Sequence, residues 1–546
     1  MKKFLSCLLA VALAAVLAVP MAGAYADVPV GSSLAGEVQK ATEYGLMNGY
    51  DTERFGYSDP MTRAQFVTVL DRMLLSQSGT EMGTDYITSD MAIPDTISDV
   101  YRSAINHAAR FDVLNRNEPF RPNDPITRGE MAEMLARALG LKGAARIAEK
   151  ENSLPFTDIS ARKGYISVAY DIGMTKGTSA TAFSPDATAT RAQAAAMLVR
   201  IYEKLHQDIG FIHGFYAISS HSQLSLAGNM DAVSAGWSRM IWDGETALLS
   251  TTNANGNEFA VPTGYSEVAE QLDGKLNLMV FMEGDSLKAM LSSADGRSQA
   301  VDQILNEVTV DYKTIGRNPY SGVTIDFEGL RCAQKADFTA FLTELRTELD
   351  KRQSLYVCVS PVLTSGTYYD GYDYAAISAL ADKVILMAYD YGAQDMSAFV
   401  GTEYYKTAAT APVGEVYQSL RAVMQQADPS KVLLGFSVEN TAWQIDREGR
   451  LVSGTPVHPS NETVAQRLTQ SSTVLGWSQE YQQSYAIYET EDGTRYFLWY
   501  QDSKSIQSAL NAAKLLSADG VSIWRLGNIP QYTTDRQTWD WSCLLA

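Results

Sequence analysis

The sequence predicts two parts of different class: an all-α bundle of three repeats, followed by an α/β domain that closes into a (β/α)8 barrel. Three observations carry this. A Thr-Arg pair recurs at Thr62-Arg63, Thr127-Arg128 and Thr190-Arg191, spaced by 65 and then 63 residues. From about Phe211 onward, short β-rich runs alternate with helical patterns. At 546 residues, 46% of them hydrophobic, the chain is also too long for a single core.

The chain opens with Met1-Lys2-Lys3, an apolar run from Phe4 to Val19, and Ala24-Tyr25-Ala26 before Asp27. A positive start, a short apolar stretch and a small-x-small site predict a secretory signal over 1–26, cut after Ala26. A retained anchor helix is the alternative, but the run is short for a span and ends at Pro20. No later apolar stretch is long enough to cross a bilayer, so no membrane span is expected after signal cleavage. Cys7 leaves with the signal, and Cys332, Cys358 and Cys543 are too few for a disulfide framework. The net charge of −19 argues against nucleic acid and anionic lipid as partners. Five histidines without a His-x-x-His or Cys-x-x-Cys pair give no metal site, and no cofactor is expected.

The repeats divide as 27–97 (the first with a trailing loop), 98–154 and 155–205. Each begins with a helical pattern: Ala41 to Leu46, Ala104 to Val113, Val168 to Met174. A polar loop follows, closed by an aromatic and a Pro or Asp: Phe55 to Pro60, Phe120 to Pro125, Phe183 to Asp186. The Thr-Arg pair then starts a second helix, over Val67 to Leu75, Ala132 to Leu139 and a run ending near Tyr202. The threonine is a good N-cap, and Gln65, Glu130 or Gln193 three places on completes a capping box. Arginine in the first turn opposes the helix dipole, so a cation there three times points to a role other than helix stability. The polar stretch Ser76 to Ser98 reads as a loop.

This pattern resembles the S-layer homology module. The resemblance implies a pseudo-threefold helical bundle in which Arg63, Arg128 and Arg191 line grooves for an anionic secondary cell-wall polymer. Pairing with nearby carboxylates is the alternative for each arginine. It also implies a secreted protein attached to the wall of a Gram-positive bacterium.

Residues 206–546 make the second part. Strand-like runs fall at Ile212 to Ile218, Leu276 to Met282, Gly322 to Phe327, Leu355 to Val359, Val384 to Tyr389, Val432 to Val438 and Gly520 to Trp524. Helical patterns such as Lys335 to Arg352 and Ser505 to Ser517 intervene, which argues for parallel βα units and a closed barrel. Along Ser321 to Gly329, side-chain alternation puts Thr324, Asp326 and Glu328 on one face and Val323, Ile325 and Phe327 on the other. Two carboxylates on one face of an apolar strand are costly unless they share a proton or meet a partner. Their repulsion and desolvation raise one pKa, which suits a general acid. A pair held by an arginine is the structural alternative. Gln223, Asp231 and Trp237 are placed in the loop after the first strand, without roles. Trp443 to Tyr500, long for a βα connection, reads as a small inserted subdomain or cleft wall.

The strand motif resembles glycoside hydrolase family 18, whose Asp-Gly-x-Asp-x-Asp-x-Glu aligns at Gly322, Asp326 and Glu328; Ser321 and Thr324 stand where the family has aspartates. Met387-Ala388-Tyr389-Asp390, Trp524 and Tyr372-Asp373-Tyr374 continue the match in order, most like the branch of spore-cortex peptidoglycan glucosaminidases. The resemblance implies retaining, substrate-assisted cleavage beside N-acetylglucosamine, in peptidoglycan by preference or in chitin. It gives Glu328, Asp326 and Tyr389 catalytic roles, and makes Asp390, Trp524, Thr324 and Met387 substrate-contacting. A catalytically weak lectin-like surface protein is the main alternative, with Thr324 as its motive; a barrel serving only as a spacer is the other.

Overall fold

The computed structural model describes residues 25–75, 93, 97–116, 119–151, 154–251, 265–313, 315–363 and 370–545. Nearly all of the expected signal segment and most of the loop expected over 76–98 lie outside the described residues.

Among the described residues, seven helices build the N-terminal part: α1 (Ala35–Glu43), α2 (Arg63–Leu70, continued by a π-helical turn at Asp71–Leu75), α3 (Asp99–Arg110), α4 (Arg128–Ala138), α5 (Lys142–Ala148), α6 (Lys163–Asp171) and α7 (Arg191–Leu205). All three expected capping boxes form. The hydroxyls of Thr62, Thr127 and Thr190 accept from the N–H of Gln65, Glu130 and Gln193, whose side chains accept from the threonine N–H in return. Just before the caps, three fully buried residues close a ring. Met61 N–H donates to Ala189 C=O, Ile126 N–H to Met61 C=O, and Ala189 N–H to Ile126 C=O.

The first-turn arginines run round the same ring. Arg63 of the first repeat pairs with Glu130 of the second. Arg128 donates to Phe183 O (2.9 Å) and Thr175 Oγ1 (3.0 Å) of the third, with its guanidinium over the Phe183 ring. Arg191 returns to the first repeat, donating to Phe55 O (3.0 Å) and Asn48 O (2.7 Å) over the rings of Tyr50 and Phe55. All three are only 6–7% exposed. Each cation that is unfavourable to its own helix thus cross-links the next repeat, where carbonyls, a carboxylate and aromatic faces compensate it.

The C-terminal part is a closed (β/α)8, or TIM, barrel. Its strands are β1 (Phe211–Tyr216), β2 (Ala232–Trp242), β3 (Leu276–Met282), β4 (Gly322–Phe327), β5 (Ser354–Val359), β6 (Lys383–Leu386), β7 (Val432–Ser437) and β8 (Gly520–Trp524). Every neighbouring pair is parallel, and β8 pairs back onto β1. The sequence reading lacks β2, and it puts Trp237 in a loop where the structure puts it inside that strand. Ala232-Val233-Ser234-Ala235-Gly236 is poor in strand-forming residues, and a register shift between Ala235 and Ser238 breaks the two-residue period. The strand expected over Val384 to Tyr389 stops at Leu386, so Met387, Tyr389 and Asp390 lie just beyond β6 on the rim. The long connection after β7 folds as a four-stranded antiparallel sheet (Thr441–Ile445, Val474–Ser478, Gln483–Glu489, Arg495–Tyr500) around Trp443, Tyr485, Phe497 and Trp499.

Helix α5, which has no counterpart in the sequence reading, docks the bundle onto the barrel helix Val413–Met424 that follows β6. Gly414 permits the contact: a Cβ there would lie 2.8 Å from the backbone carbon of Gly143. Arg421 of the barrel helix is buried between two carboxylates of the bundle, reaching Glu151 (2.6 Å) and Asp171 (2.6 Å). The Asp171 contact is close but not aligned as a hydrogen bond. Burial pushes the Asp171 carboxyl up to about 6 even against the attraction of Arg421. Its raised pKa means it favours the folded state below about pH 4 and loses that contribution as pH rises through about 6. Arg421→Ala is therefore expected to cost about 3–5 kcal/mol at pH 8 by leaving buried carboxylates uncompensated, and clearly less at pH 5. Calorimetric unfolding of the full chain at the two pH values checks this.

Candidate active site

The interior face of the barrel is set by alternation. On β4, Val323, Ile325 and Phe327 pack outward into the main core, while Thr324 and Asp326 turn inward and are 0% and 4% exposed. Glu328 follows the strand end, half-buried, with its N–H held by Met282 O at 2.9 Å. The carbonyl of Phe327, between the two carboxylates, accepts from the Tyr372 hydroxyl at 2.7 Å. The strand end that presents Asp326 and Glu328 is therefore pinned from the β3 side and from the β5–β6 loop.

Around this pair the structure gathers the other expected residues at the C-terminal mouth. Tyr389 and Met387 are buried in one apolar cluster with Phe215, Phe281, Cys358 and Ile385, and Trp524 packs against it. The Tyr389 ring fits because residue 435 on β7 is glycine: a Cβ there would come within 2.8 Å of the ring. Trp524 meets Phe215 edge-on, with ring centroids 5.0 Å apart. Asp390 opens to solvent beside them. Thr324 lies one layer deeper, its hydroxyl 2.6 Å from that of Ser234. Arg63, Arg128 and Arg191, which the sequence suggests for polymer binding, belong to the bundle and lie outside this mouth.

Several contributors were not singled out from sequence. Ser234 also contacts His213 Nε2 (2.8 Å), and His213 Nδ1 contacts Ser522 (2.7 Å), so a polar chain crosses the barrel below the mouth. Burial drives the His213 pKa down to about 3, keeping the imidazole neutral. Glu283, immediately past β3, and Glu439, past β7, add carboxylates to the rim. Neither sits in a periodic pattern, so only the closed barrel identifies them as neighbours.

The electrostatics follow from crowding acids in a dry site. Desolvation first, and then repulsion from Glu283, pushes Glu328 up to about 7. Asp326 lies well above the usual carboxylate range, through burial first and the charge of Glu328 second. Asp390 is exposed to solvent yet recessed among the rim residues, so desolvation by the surrounding protein and then the charges of Glu439 and Glu328 raise its carboxyl, with solvent screening part of the effect. A carboxyl with a raised folded pKa stabilises the fold below its ordinary value and loses that contribution as pH climbs through the raised one. Glu328→Gln should therefore match the parent near pH 4.5 and exceed it by about 1–3 kcal/mol at pH 8. Denaturant melts at both pH values measure the gap; a gap independent of pH would contradict the site electrostatics.

The family profile described as "Glycosyl hydrolases family 18" matches residues 245–528, just over half of the chain. The S-layer homology domain profile matches 24–67, 95–132 and 155–195, which indicates attachment to a bacterial cell surface. Among the described residues no helix is long and apolar enough to cross a membrane. The putative sporulation-specific glycosylase YdhD of Bacillus subtilis is 25% identical over 43% of this chain and 56% of its own length. The cortical fragment-lytic enzyme of the same organism is 25% identical over 42% of this chain and 51% of its own length. The chain thus spans about half the length of these curated relatives. The crystal structure of the Bacillus cereus spore cortex-lytic enzyme SleL superposes with a TM-score of 0.46 at 17% identity, covering 58% of this chain and 71% of that one. With the motif residues assembled at one barrel mouth and the profile covering the barrel from β3 through β8, the chain belongs to glycosyl hydrolase family 18 and carries three S-layer homology domains.

Proposed function

We propose that this is a wall-attached glycoside hydrolase cleaving β-1,4 bonds beside N-acetylglucosamine, with peptidoglycan favoured over chitin. The observation that carries the reading is the desolvated pair Asp326 and Glu328 at the C-terminal end of β4, beneath Tyr389 and Trp524. Glu328, its pKa raised to about 7, donates its proton to the glycosidic oxygen as the bond to the anomeric carbon breaks. The acetamido oxygen of the same sugar attacks that carbon and forms an oxazolinium ion. Asp326 accepts from the acetamide N–H and stabilises the positive charge that develops there. Tyr389 donates to the acetamide oxygen, Asp390 binds sugar hydroxyls and Trp524 floors the sugar. Water, deprotonated by the Glu328 carboxylate, then opens the ring with net retention.

The relatives named as cortical fragment-lytic enzymes, together with the wall-directed repeats, favour peptidoglycan as substrate. Digestion of purified peptidoglycan and of chitin oligomers by the full chain, with products identified by mass, tests the reading. Fragments ending in reducing N-acetylglucosamine are expected, and Glu328→Gln should release them at least ~100-fold more slowly. Because the acid must be protonated, the rate should fall as pH rises through about 7. Binding of glycan without cleavage by parent and variant alike would instead make the barrel a lectin.

The seams between repeats, where Arg63, Arg128 and Arg191 lie, are proposed to hold an anionic secondary cell-wall polymer of a Gram-positive wall. The support is positional: a cation sits at each of the three seams. Arg191→Lys keeps the charge but not the two-pronged donor. It should weaken sedimentation of the full chain with purified cell walls about tenfold, whereas undiminished binding would leave Arg191 only a clamp between repeats.

A further inference from the structure

Asp326 reaches the barrel mouth with one oxygen unsatisfied: Oδ1 is buried and has no hydrogen-bond partner, in a residue 4% exposed. The family motif has an aspartate two residues earlier, on the same face, able to share a proton with this one. Here that position is Thr324, whose hydroxyl lies 2.6 Å from Ser234, itself tied to neutral His213. The group beside Asp326 comes from the next strand instead. Parallel register pairs Ile325 with Val357, which sets Asp326 beside Cys358 on the interior face. Cys358 is 0% exposed, so that register leaves its thiol packed next to the Asp326 carboxyl inside the barrel.

We infer that Cys358 is the positioning residue for Asp326, its S–H holding the carboxyl so that Oδ1 stays aimed at the acetamide of the bound sugar. This rests on the hydrolase reading above. A thiol suits the task because it is a weak donor: it orients the carboxylate without withdrawing the charge that must face the oxazolinium ion. Burial first, then the charges of Asp326 and Glu328, hold the proton on sulfur, so the donor persists across the working pH range. The departure at Thr324 is thereby compensated from β5 rather than from β4.

The experiment uses the full chain, with Cys358→Ala, Cys358→Val and Cys358→Ser assayed on whichever of peptidoglycan or chitin oligomers the parent cleaves. The two donor-less variants are expected to lose at least tenfold in kcat with KM within about twofold, and to shift the acidic limb of the pH–kcat profile upward. The serine variant, which keeps a donor, should recover most of the rate and return the limb toward its original position. An active parent whose alanine and valine variants keep both rate and limb overturns the role of Cys358 while leaving the hydrolase intact. Equal losses in all three variants, serine included, also overturn it, because packing alone then accounts for the effect. A parent that cleaves neither glycan overturns the hydrolase reading and this inference with it. Should alanine leave too large a void for folding, valine carries the donor-less arm.

Discussion

Holding Asp326 out of water is the constraint on which the rest of the catalytic part depends. A closed barrel has no open sheet edge, so a side chain turned inward at the top of β4 meets protein on every side but the mouth. A carboxylate there costs free energy unless a proton or a donor compensates it. The surrounding features answer that cost. The Cys358 thiol packs beside the carboxyl, Tyr372 fixes the strand end, and Gly435 leaves space for the Tyr389 ring. The same dryness acts on Glu328 and turns an ordinary carboxyl into an acid poised near neutrality.

The bundle solves the opposite problem. There the buried charge is cationic and every repeat supplies one, so the solution is a closed ring in which each arginine reaches the next repeat. Breaking a link would leave the guanidinium of that seam buried without compensation. Arg421 extends the principle across the domain boundary, a barrel cation between two bundle carboxylates. With α5 packed at the Gly143–Gly414 contact, this junction fixes the catalytic mouth relative to the anchoring repeats.

How much of this was legible in the sequence follows the strength of local signals. Leu276–Met282, Gly322–Phe327 and Gly520–Trp524 are read with their observed boundaries, because continuous β-branched and aromatic runs are bounded by clear breaks. The capping boxes are legible because Thr and Gln or Glu at a three-residue spacing have one dominant use. Strand β2 was not, since its alanines, serines and glycine carry little strand preference and its bulge interrupts the alternation. In the site, Asp326 and Glu328 are visible through a shared face on one strand. Glu283, Glu439, His213 and Cys358 become neighbours only when distant strands pair, and no spacing along the chain encodes that. The direction of the arginines is a similar case. Their recurrence announced a role beyond the helix, but their burial in the seams depends on how three repeats close on one another.

Buried charge has opposite sign in the two sites: carboxylates at the barrel mouth, guanidinium groups at the repeat seams. At the barrel mouth the causes that raise Glu328 and Asp390 are burial and other carboxylates, with no cation to pull them down. An arginine beside Glu328 would lower its pKa toward the ordinary range and discharge the acid at neutral pH. A mouth of that kind disfavours a further negative charge. The seams hold Arg63, Arg128 and Arg191, each compensated by groups of the next repeat. The acids crowded at the mouth thus raise one another, whereas the three seam arginines meet carbonyls, a carboxylate and aromatic faces.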